Sequence, residues 1–298
     1  MARGDFLCLR YLTIGYNAKV IPFPGILLAL ASALTWGIAD FSGGQAARRS
    51  NALQVLALSS FSGICLLILC LFVQAEIRPS LSSLLWAAAS GISGAIGLAL
   101  FYYGLSLGNT VIIAPVAAVV GAALPVAIGS LTEGLPGFLQ LVGFVLAFLG
   151  IWFVSQSPSS VRGVTQSVFW LGILAGLFFG GFFVFIGQVE SGQVFTPLLV
   201  SRTCELLVAL LLLLVRKIPL PSPGSIKLAW VVGLLDAGGS VSFVIARQLS
   251  RLDVSVVLSS LYPVVTVCLA YWMLKEKISL SQWVGVALCF SSVVLITI

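Results

Sequence analysis

Four ionisable residues lie within long apolar stretches of the sequence: Asp40, Arg202, Glu205 and Asp236. A charge near the centre of a bilayer costs at least ~2.5–3.5 kcal/mol on insertion scales, so such a residue normally faces protein or water. Arg202 and Glu205 are three positions apart, which places them within pairing distance on one helix. Two interpretations of this pair stay open. It is either an internal salt bridge that holds its helix in register, or a switching pair that breaks when a ligand or a proton binds.

Asp236 lies among glycines, at positions 233, 238 and 239. Burial favours the neutral form of a carboxyl group, which makes Asp236 a candidate for proton exchange or for binding a cationic amine. The alternative is a protonated residue that hydrogen-bonds to a neighbouring helix. Asp40 is closer to one end of its apolar stretch, because Arg48 and Arg49 follow it, and it is a second candidate for the same site.

Several aromatic residues and prolines coincide with irregular positions in the apolar stretches. The candidate ligand-facing rings are Trp36, Tyr102, Tyr103 and Tyr262. Ring faces receive aromatic or cationic ligands, although most rings in such proteins belong to the core or to the interface belts. The candidate hinges are Pro115, Pro125 and Pro263. Each removes a backbone hydrogen bond, and therefore either hinges a helix or fixes a bend.

The composition requires lipid around these residues. Of 298 residues, 8% are charged and 60% are hydrophobic, whereas a soluble domain carries about 25% charged residues. Histidine is absent, which excludes histidine-based catalysis and the usual haem ligands. No phosphate-binding G-x-x-x-x-G-K-[ST] motif occurs, and basic residues are scattered, so we expect no cofactor and no nucleic-acid partner.

Reading for apolar runs of about 20 residues predicts ten membrane-spanning helices. They lie near 24–46, 51–73, 83–106, 110–131, 137–155, 167–188, 194–215, 227–249, 254–273 and 279–297. The predicted fold class is therefore an all-α integral membrane protein with ten transmembrane helices. The predicted organisation is an N-terminal extension at 1–23, a five-helix repeat at 24–157, a linker at 158–166 and a second five-helix repeat at 167–298.

The two halves repeat each other. A shift of 144 positions places Trp86 on Trp230, and after a one-residue slip Glu133 meets Glu276. We interpret both glutamates as anchors of helix starts. Because each half has five spans, an odd number, the second half enters the membrane in the opposite sense. Inverted repeats of this kind are typical of secondary transporters that bind substrate near the midplane.

The segments 33–37, 102–105 and 258–264, together with the turns at Glu133 and Glu276, resemble the drug/metabolite transporter superfamily, specifically its tandem EamA-type domains. The resemblance implies a ten-helix basket that carries small metabolites, often outward, driven by an ion gradient or by exchange. It also implies a cell-membrane location with both termini inside. The chain departs from the pattern because span two lacks the arginine common in the first half, although Arg202 occupies the related place in span seven.

The basic residues favour the other orientation. Arg3, Arg10, Lys19, Arg78, Arg247 and Arg251 lie on the side of the termini, and Arg48, Arg49, Arg162, Arg216, Lys217, Lys227, Lys275 and Lys277 lie opposite. The positive-inside rule thus leans toward termini outside.

The expected function is secondary transport, with export of amino acids, related metabolites or amphipathic drugs. Protons are a candidate coupling ion, and the unit is a monomer or a homodimer. The alternatives are a lipid-linked sugar translocase and a non-transporting receptor or scaffold. A membrane enzyme is disfavoured by the missing histidine.

Overall fold

A computed structural model describes residues 23–74, 76, 78–106, 110–155, 166–221, 226–275 and 278–297. These form eleven α-helices: α1 (Phe23–Arg49), α2 (Ala52–Val73), α3 (Leu81–Ser106), α4 (Thr110–Thr132), α5 (Phe138–Ser155), α6 (Gln166–Ile186), α7 (Phe195–Val215), α8 (Lys227–Leu249), α9 (Leu252–Ser259), α10 (Tyr262–Leu274) and α11 (Leu280–Thr297). The predicted N-terminal extension up to residue 22, the linker up to residue 165 and Glu276 lie outside the described residues.

The helices follow from sequence that is apolar on all sides. Within the described part of the chain, ten segments are long and apolar enough to cross a bilayer, with α9 and α10 together forming the ninth. In hydrocarbon every backbone N–H and C=O must be satisfied within the segment, and a helix does this. The prediction of ten spanning helices is confirmed. We call the side where α1 begins and α11 ends the terminal face, and the other side the opposite face.

The ninth span, predicted as one helix, is broken in the middle. Helix α9 ends at Ser259, and α10 begins at Tyr262 with Pro263 in its first turn. Proline has no N–H to donate to the preceding turn, and its ring disfavours helical geometry at the residue before it, so a new helix starts there. All eight residues of α9 are buried, whereas no residue of α10 is buried.

The two five-helix halves interleave. Helix α1 packs along α8, and its counterpart in the second repeat, α6, packs along α3. Helix α1 also contacts α9 and α10, which together form the ninth span, and α6 contacts α4, the counterpart of that span. Helix α2 lies on α7, and α5 on α11. Equivalent helices thus make equivalent contacts across a pseudo-twofold axis, and most of the extensive helix contacts join one half to the other.

Two glycines fix the register of this packing. A Cβ atom on Gly91 of α3 would lie 2.0 Å from the backbone oxygen of Ser201 in α7. A Cβ atom on Gly233 of α8 would lie 2.0 Å from the backbone oxygen of Ser59 in α2. The spacing from Gly91 to Gly233 equals the spacing from Ser59 to Ser201, so these are the same contact made once by each repeat. No residue with a side chain fits at either crossing.

Candidate functional site

The centre of the site is the Arg202 guanidinium, which is buried on α7. Its Nη1 atom lies 2.7 Å from Oε2 of Glu205, one turn later on the same helix. The same nitrogen lies 2.5 Å from Oδ2 of Asp236 on α8. One guanidinium therefore joins α7 to α8 through two carboxylates, and the pair inferred from the spacing of Arg202 and Glu205 becomes a triad.

Ser240 and Trp36 extend the triad by hydrogen bonds. Nη2 of Arg202 donates to Oγ of Ser240 over 2.8 Å, and this hydroxyl donates to the backbone oxygen of Asp236 over 2.9 Å. The indole N–H of Trp36 on α1 donates to the same backbone oxygen over 3.2 Å. The Trp36 hydrogen bond requires α1 and α8 to approach closely at Gly239, because a Cβ at that position would lie 2.7 Å from the Trp36 ring. The network therefore connects α1, α7 and α8.

Aromatic rings enclose Trp36, which is 8% exposed. The ring centroids of Phe183 and Phe243 lie 5.7 Å and 5.9 Å from that of Trp36, and 5.0 Å from each other. Tyr262, at the break in the ninth span, packs against the same cluster. Trp36, Phe183 and Phe243 thus pack on one another, and of these four rings Tyr262 is the one that is partly exposed.

Asp40 lies one turn after Trp36 on the same face of α1 and is exposed. Its carboxylate lies near the Asp236 carboxylate, which carries the same charge when ionised, and near the phenol of Tyr262. Asp40 makes no ion pair within the described part of the chain. It therefore stands at the edge of the triad, open to a ligand.

The site lies near the bilayer midplane, because Trp36 and Asp236 are near the middle of their helices and Tyr262 is at the break within the ninth span. It also breaks the pseudo-twofold symmetry. The spacing that relates Gly91 to Gly233 relates Ser60 to Arg202 and Gly94 to Asp236. The first repeat carries no charge at these positions, so the triad is confined to the second repeat.

The terminal face is tied together by loop residues. The Glu76 carboxylate, in the α2–α3 loop, accepts the N–H groups of Val194, Phe195 and Thr196 at the start of α7. Gln248 donates to the backbone oxygen of Gln193 over 2.9 Å. These bonds join the α2–α3 and α6–α7 loops to α7 and α8.

A second group of bonds on the terminal face centres on Glu133. Its Oε1 atom lies 2.7 Å from Nη2 of Arg247, and its Oε2 atom accepts the N–H of Leu252 over 3.0 Å. Arg251 pairs with Asp253 over 2.8 Å. Glu133 does anchor a helix start, but that of α9 rather than that of the following helix in sequence.

The opposite face is more open around the site. No residue of α10 is buried, and a Cβ on Gly44 or on Gly238 would have no neighbour within 4 Å among the described residues. A cavity of about 570 Å³ lies between the end of α1 and the start of α8, lined in part by Arg49 and Lys227. The side chain of Asp236 is 30% exposed.

The structure thus brings together Trp36, Asp40, Arg202, Glu205, Asp236 and Tyr262 from the sequence candidates. Tyr103 lies near the opposite-face end of α3 and is 47% exposed, and the side chain of Tyr102 lies outside the described part of the chain. Pro115 and Pro125 are buried within α4, which continues through both, whereas Pro263 lies in the first turn of α10.

Three members of the site were not predicted: Ser240, Phe183 and Phe243. Ser240 follows Asp236 by four positions, so the two lie on the same face of a helix, and this spacing could have identified the serine. The phenylalanines have no such signal, because in a chain with 19 of them only the fold distinguishes enclosed rings from lipid-facing ones.

Comparison with known proteins identifies the class. The family model described as the EamA-like transporter family matches residues 23–156 and again residues 166–298. The chain belongs to the EamA-like transporter family, which is a transporter family and not an enzymatic one. The two matches agree with two five-helix repeats, inverted because each contains an odd number of spans.

Two individual proteins are similar to the chain. An uncharacterized protein of Methanocaldococcus jannaschii is 28% identical over 129 residues, which make up 43% of this chain and 94% of that protein. That relative therefore has the length of about one repeat. A protein of known crystal structure shares the fold with a TM-score of 0.68 and 17% identity, over 91% of this chain and 95% of its own.

Proposed function

We propose that this chain is a secondary active transporter that exports small metabolites by alternating access, with Arg202, Glu205, Asp236 and Asp40 forming the substrate and coupling site. Amino acids, related metabolites and amphipathic drugs are the candidate substrates. The cell membrane is the proposed location.

The observation that carries the proposal is an ion cluster near the midplane whose arginine and aspartate have no counterpart in the first repeat. Each intramembrane charge costs several kcal/mol unless it is paired or hydrated. The positions of the first repeat that correspond to Arg202 and Asp236 are Ser60 and Gly94, which are uncharged. A costly group present in one repeat alone is best explained by a role in transport.

Protons are the proposed coupling ion, and Asp236 is the proposed carrier. It faces Arg202 and Glu205 of α7 and Asp40 of α1. Helix α2 also packs on α8 but contributes no acidic or basic residue. Protonation of Asp236 removes one of the two carboxylates that hold Arg202 and leaves the guanidinium with Glu205. A change of partner of this kind couples proton binding to the contact between α7 and α8.

Alternation between the faces follows from the inverted repeats. The terminal-face half of the ninth span is buried as α9, and the opposite-face half, α10, is not. We infer from this difference that the structure represents a state open toward the opposite face. We place the termini in the cytoplasm, as the family resemblance implies, so that this state is open to the outside. Export then requires a second state in which the terminal face opens.

Uptake into liposomes by the purified full-length chain tests the proposal. A panel of amino acids, amines and dyes is offered with and without a pH gradient, and protein-free liposomes serve as the control. We expect saturable flux that follows the gradient. Saturable flux indifferent to the gradient would contradict proton coupling and leave a facilitated carrier. Flux only of lipid-linked sugars would favour the translocase, and no flux at all would favour a receptor or scaffold.

A further inference from the structure

The charges around the site do not balance. Asp40, Glu205 and Asp236 are acidic, and Arg202 is the basic residue among them. With every group ionised, the excess is negative. Such an excess near the midplane attracts a positive partner, because the low dielectric of the surroundings strengthens the interaction.

Arg202 is already occupied. Its Nη1 atom is shared by Glu205 and Asp236, and its Nη2 atom is bound to Ser240. An anionic substrate would have to displace a carboxylate from the guanidinium and would then face the displaced charge. The geometry therefore opposes a substrate carboxylate or phosphate at this arginine.

Asp40 has the opposite properties. It is exposed, it makes no ion pair with any described residue, and it lies near Asp236 and Tyr262. It projects from the same face of α1 as Trp36, one turn away. An ammonium group near Asp40 would also neutralise part of the charge of Asp236.

The ring next to Asp40 that a ligand can reach is Tyr262. Trp36, Phe183 and Phe243 are buried against one another, whereas Tyr262 is partly exposed and packs against the same cluster. Ring faces attract an ammonium within about 6 Å. A carboxylate beside an accessible ring thus matches a protonated amine with an apolar body.

We propose that Asp40 determines specificity for positively charged substrates, and that the site takes protonated amines with an apolar body in preference to zwitterions or anions. The inference rests on the proposed transport function for its biological meaning. The binding preference itself does not depend on transport.

The test is equilibrium binding to the full-length chain in nanodiscs, with three matched probes. Radiolabelled 2-phenylethylamine carries only the ammonium, 3-phenylpropanoate carries only the carboxylate, and phenylalanine carries both. We expect saturable binding of the amine, weaker displacement by phenylalanine and the weakest displacement by the anion. Asp40→Asn should weaken amine binding about 10-fold or more, as expected for loss of a charge-assisted contact. Asp40→Glu should restore most of it.

Glu190→Gln is the matched control. It removes the same charge on the terminal face, where Glu190 bonds to Ser80 and Gln193, and should leave amine binding unchanged. Gel filtration of each variant separates loss of binding from loss of folding. The inference is overturned if the amine does not bind, if the anion or phenylalanine binds more tightly, or if Asp40→Asn behaves like Glu190→Gln. Amine binding without flux in liposomes would overturn the transport function alone, and flux restricted to anions would overturn this inference alone.

Discussion

The ion-pair partners of Arg202 come both from its own helix and from a neighbouring helix. Its pairing with Glu205 follows from a spacing of three on one helix and is found at 2.7 Å. Its contact with Asp236 joins positions far apart in the chain and exists only because α7 and α8 meet. The resulting triad is compatible with both interpretations of the pair, because a salt bridge that holds α7 in register is also one that a proton on Asp236 would rearrange.

Replacement of Asp236 by asparagine tests the coupling. Asp236→Asn keeps the size of the side chain but cannot exchange a proton, so we expect it to abolish gradient-driven accumulation while leaving exchange measurable. Both are measured in liposomes loaded with substrate. An unchanged pH dependence of flux in this variant would contradict the assignment, and Glu190→Gln provides the control for a neutralised carboxylate outside the site.

Removal of the Arg202 guanidinium tests how much it contributes to the stability of the fold. Arg202→Ala leaves Glu205 and Asp236 without their shared partner, and breaking a buried pair in this way costs about 3–5 kcal/mol. We expect a lower free energy of unfolding, measured by denaturant titration in detergent micelles. Arg202→Ala combined with Glu205→Ala should recover part of the loss, because one unpaired charge is then removed. An Arg202→Ala variant as stable as the parent would show that the carboxylates are already neutral or hydrated.

At the scale of helices, glycine decides where two backbones touch. Both crossings that relate the repeats place a glycine against the backbone oxygen of a serine, Gly91 on Ser201 and Gly233 on Ser59. In lipid, helices associate mainly through such close packing, since the hydrophobic effect does not drive them together. The stripe of Gly172, Gly176 and Gly180 on α6 lies against α4 in the same manner.

Two glycines of α8 provide a matched comparison. Gly233→Ala would place a Cβ 2.0 Å from the Ser59 oxygen, whereas the Cβ of Gly238→Ala would meet nothing within 4 Å in the part of the chain that the structure describes. We expect the first substitution to lower the unfolding free energy by at least about 1–3 kcal/mol, the usual cost of overpacking. The second should be neutral or stabilising by up to about 1 kcal/mol, because alanine is the better helix former. Equal stabilities in thermal unfolding would contradict the described crossing of α2 and α8.

At the scale of the whole molecule, the two faces differ in how they are held. Loop and helix-end contacts of Glu76, Glu133 and Gln248 join neighbouring elements on the terminal face. On the other side, α10 has no buried residue. Opening of the terminal face therefore requires these bonds to break, and their strength sets how often the second state is reached.

Weakening this closure should expose α9. Glu133→Gln removes the ion pair with Arg247, and a half-buried pair contributes about 1 kcal/mol, so opening should become more frequent on the order of fivefold. The measurement is alkylation of Ser255→Cys, placed in a cysteine-free background, by a thiol reagent that cannot cross the membrane. Ser255 is fully buried on α9, so its reactivity reports opening.

Thr132→Val is the control for this experiment. It changes the neighbouring residue, whose hydroxyl bonds within its own helix over 3.0 Å, and leaves the ion pair in place. Alkylation that is equally fast in the parent and in Glu133→Gln would show that the pair does not hold the terminal face closed.

The sequence by itself determined the membrane class, the ten spans and the duplication, because hydropathy and helix length are local properties that lipid enforces segment by segment. It also placed Asp40, Arg202, Glu205 and Asp236 as costly charges in apolar surroundings. Only the tertiary structure decided that α7 and α8 share one guanidinium, that Phe183 and Phe243 enclose Trp36 and that Glu133 anchors α9. The physical reason is that these contacts join positions far apart in the chain, and their partners are fixed by helix packing rather than by spacing along one helix.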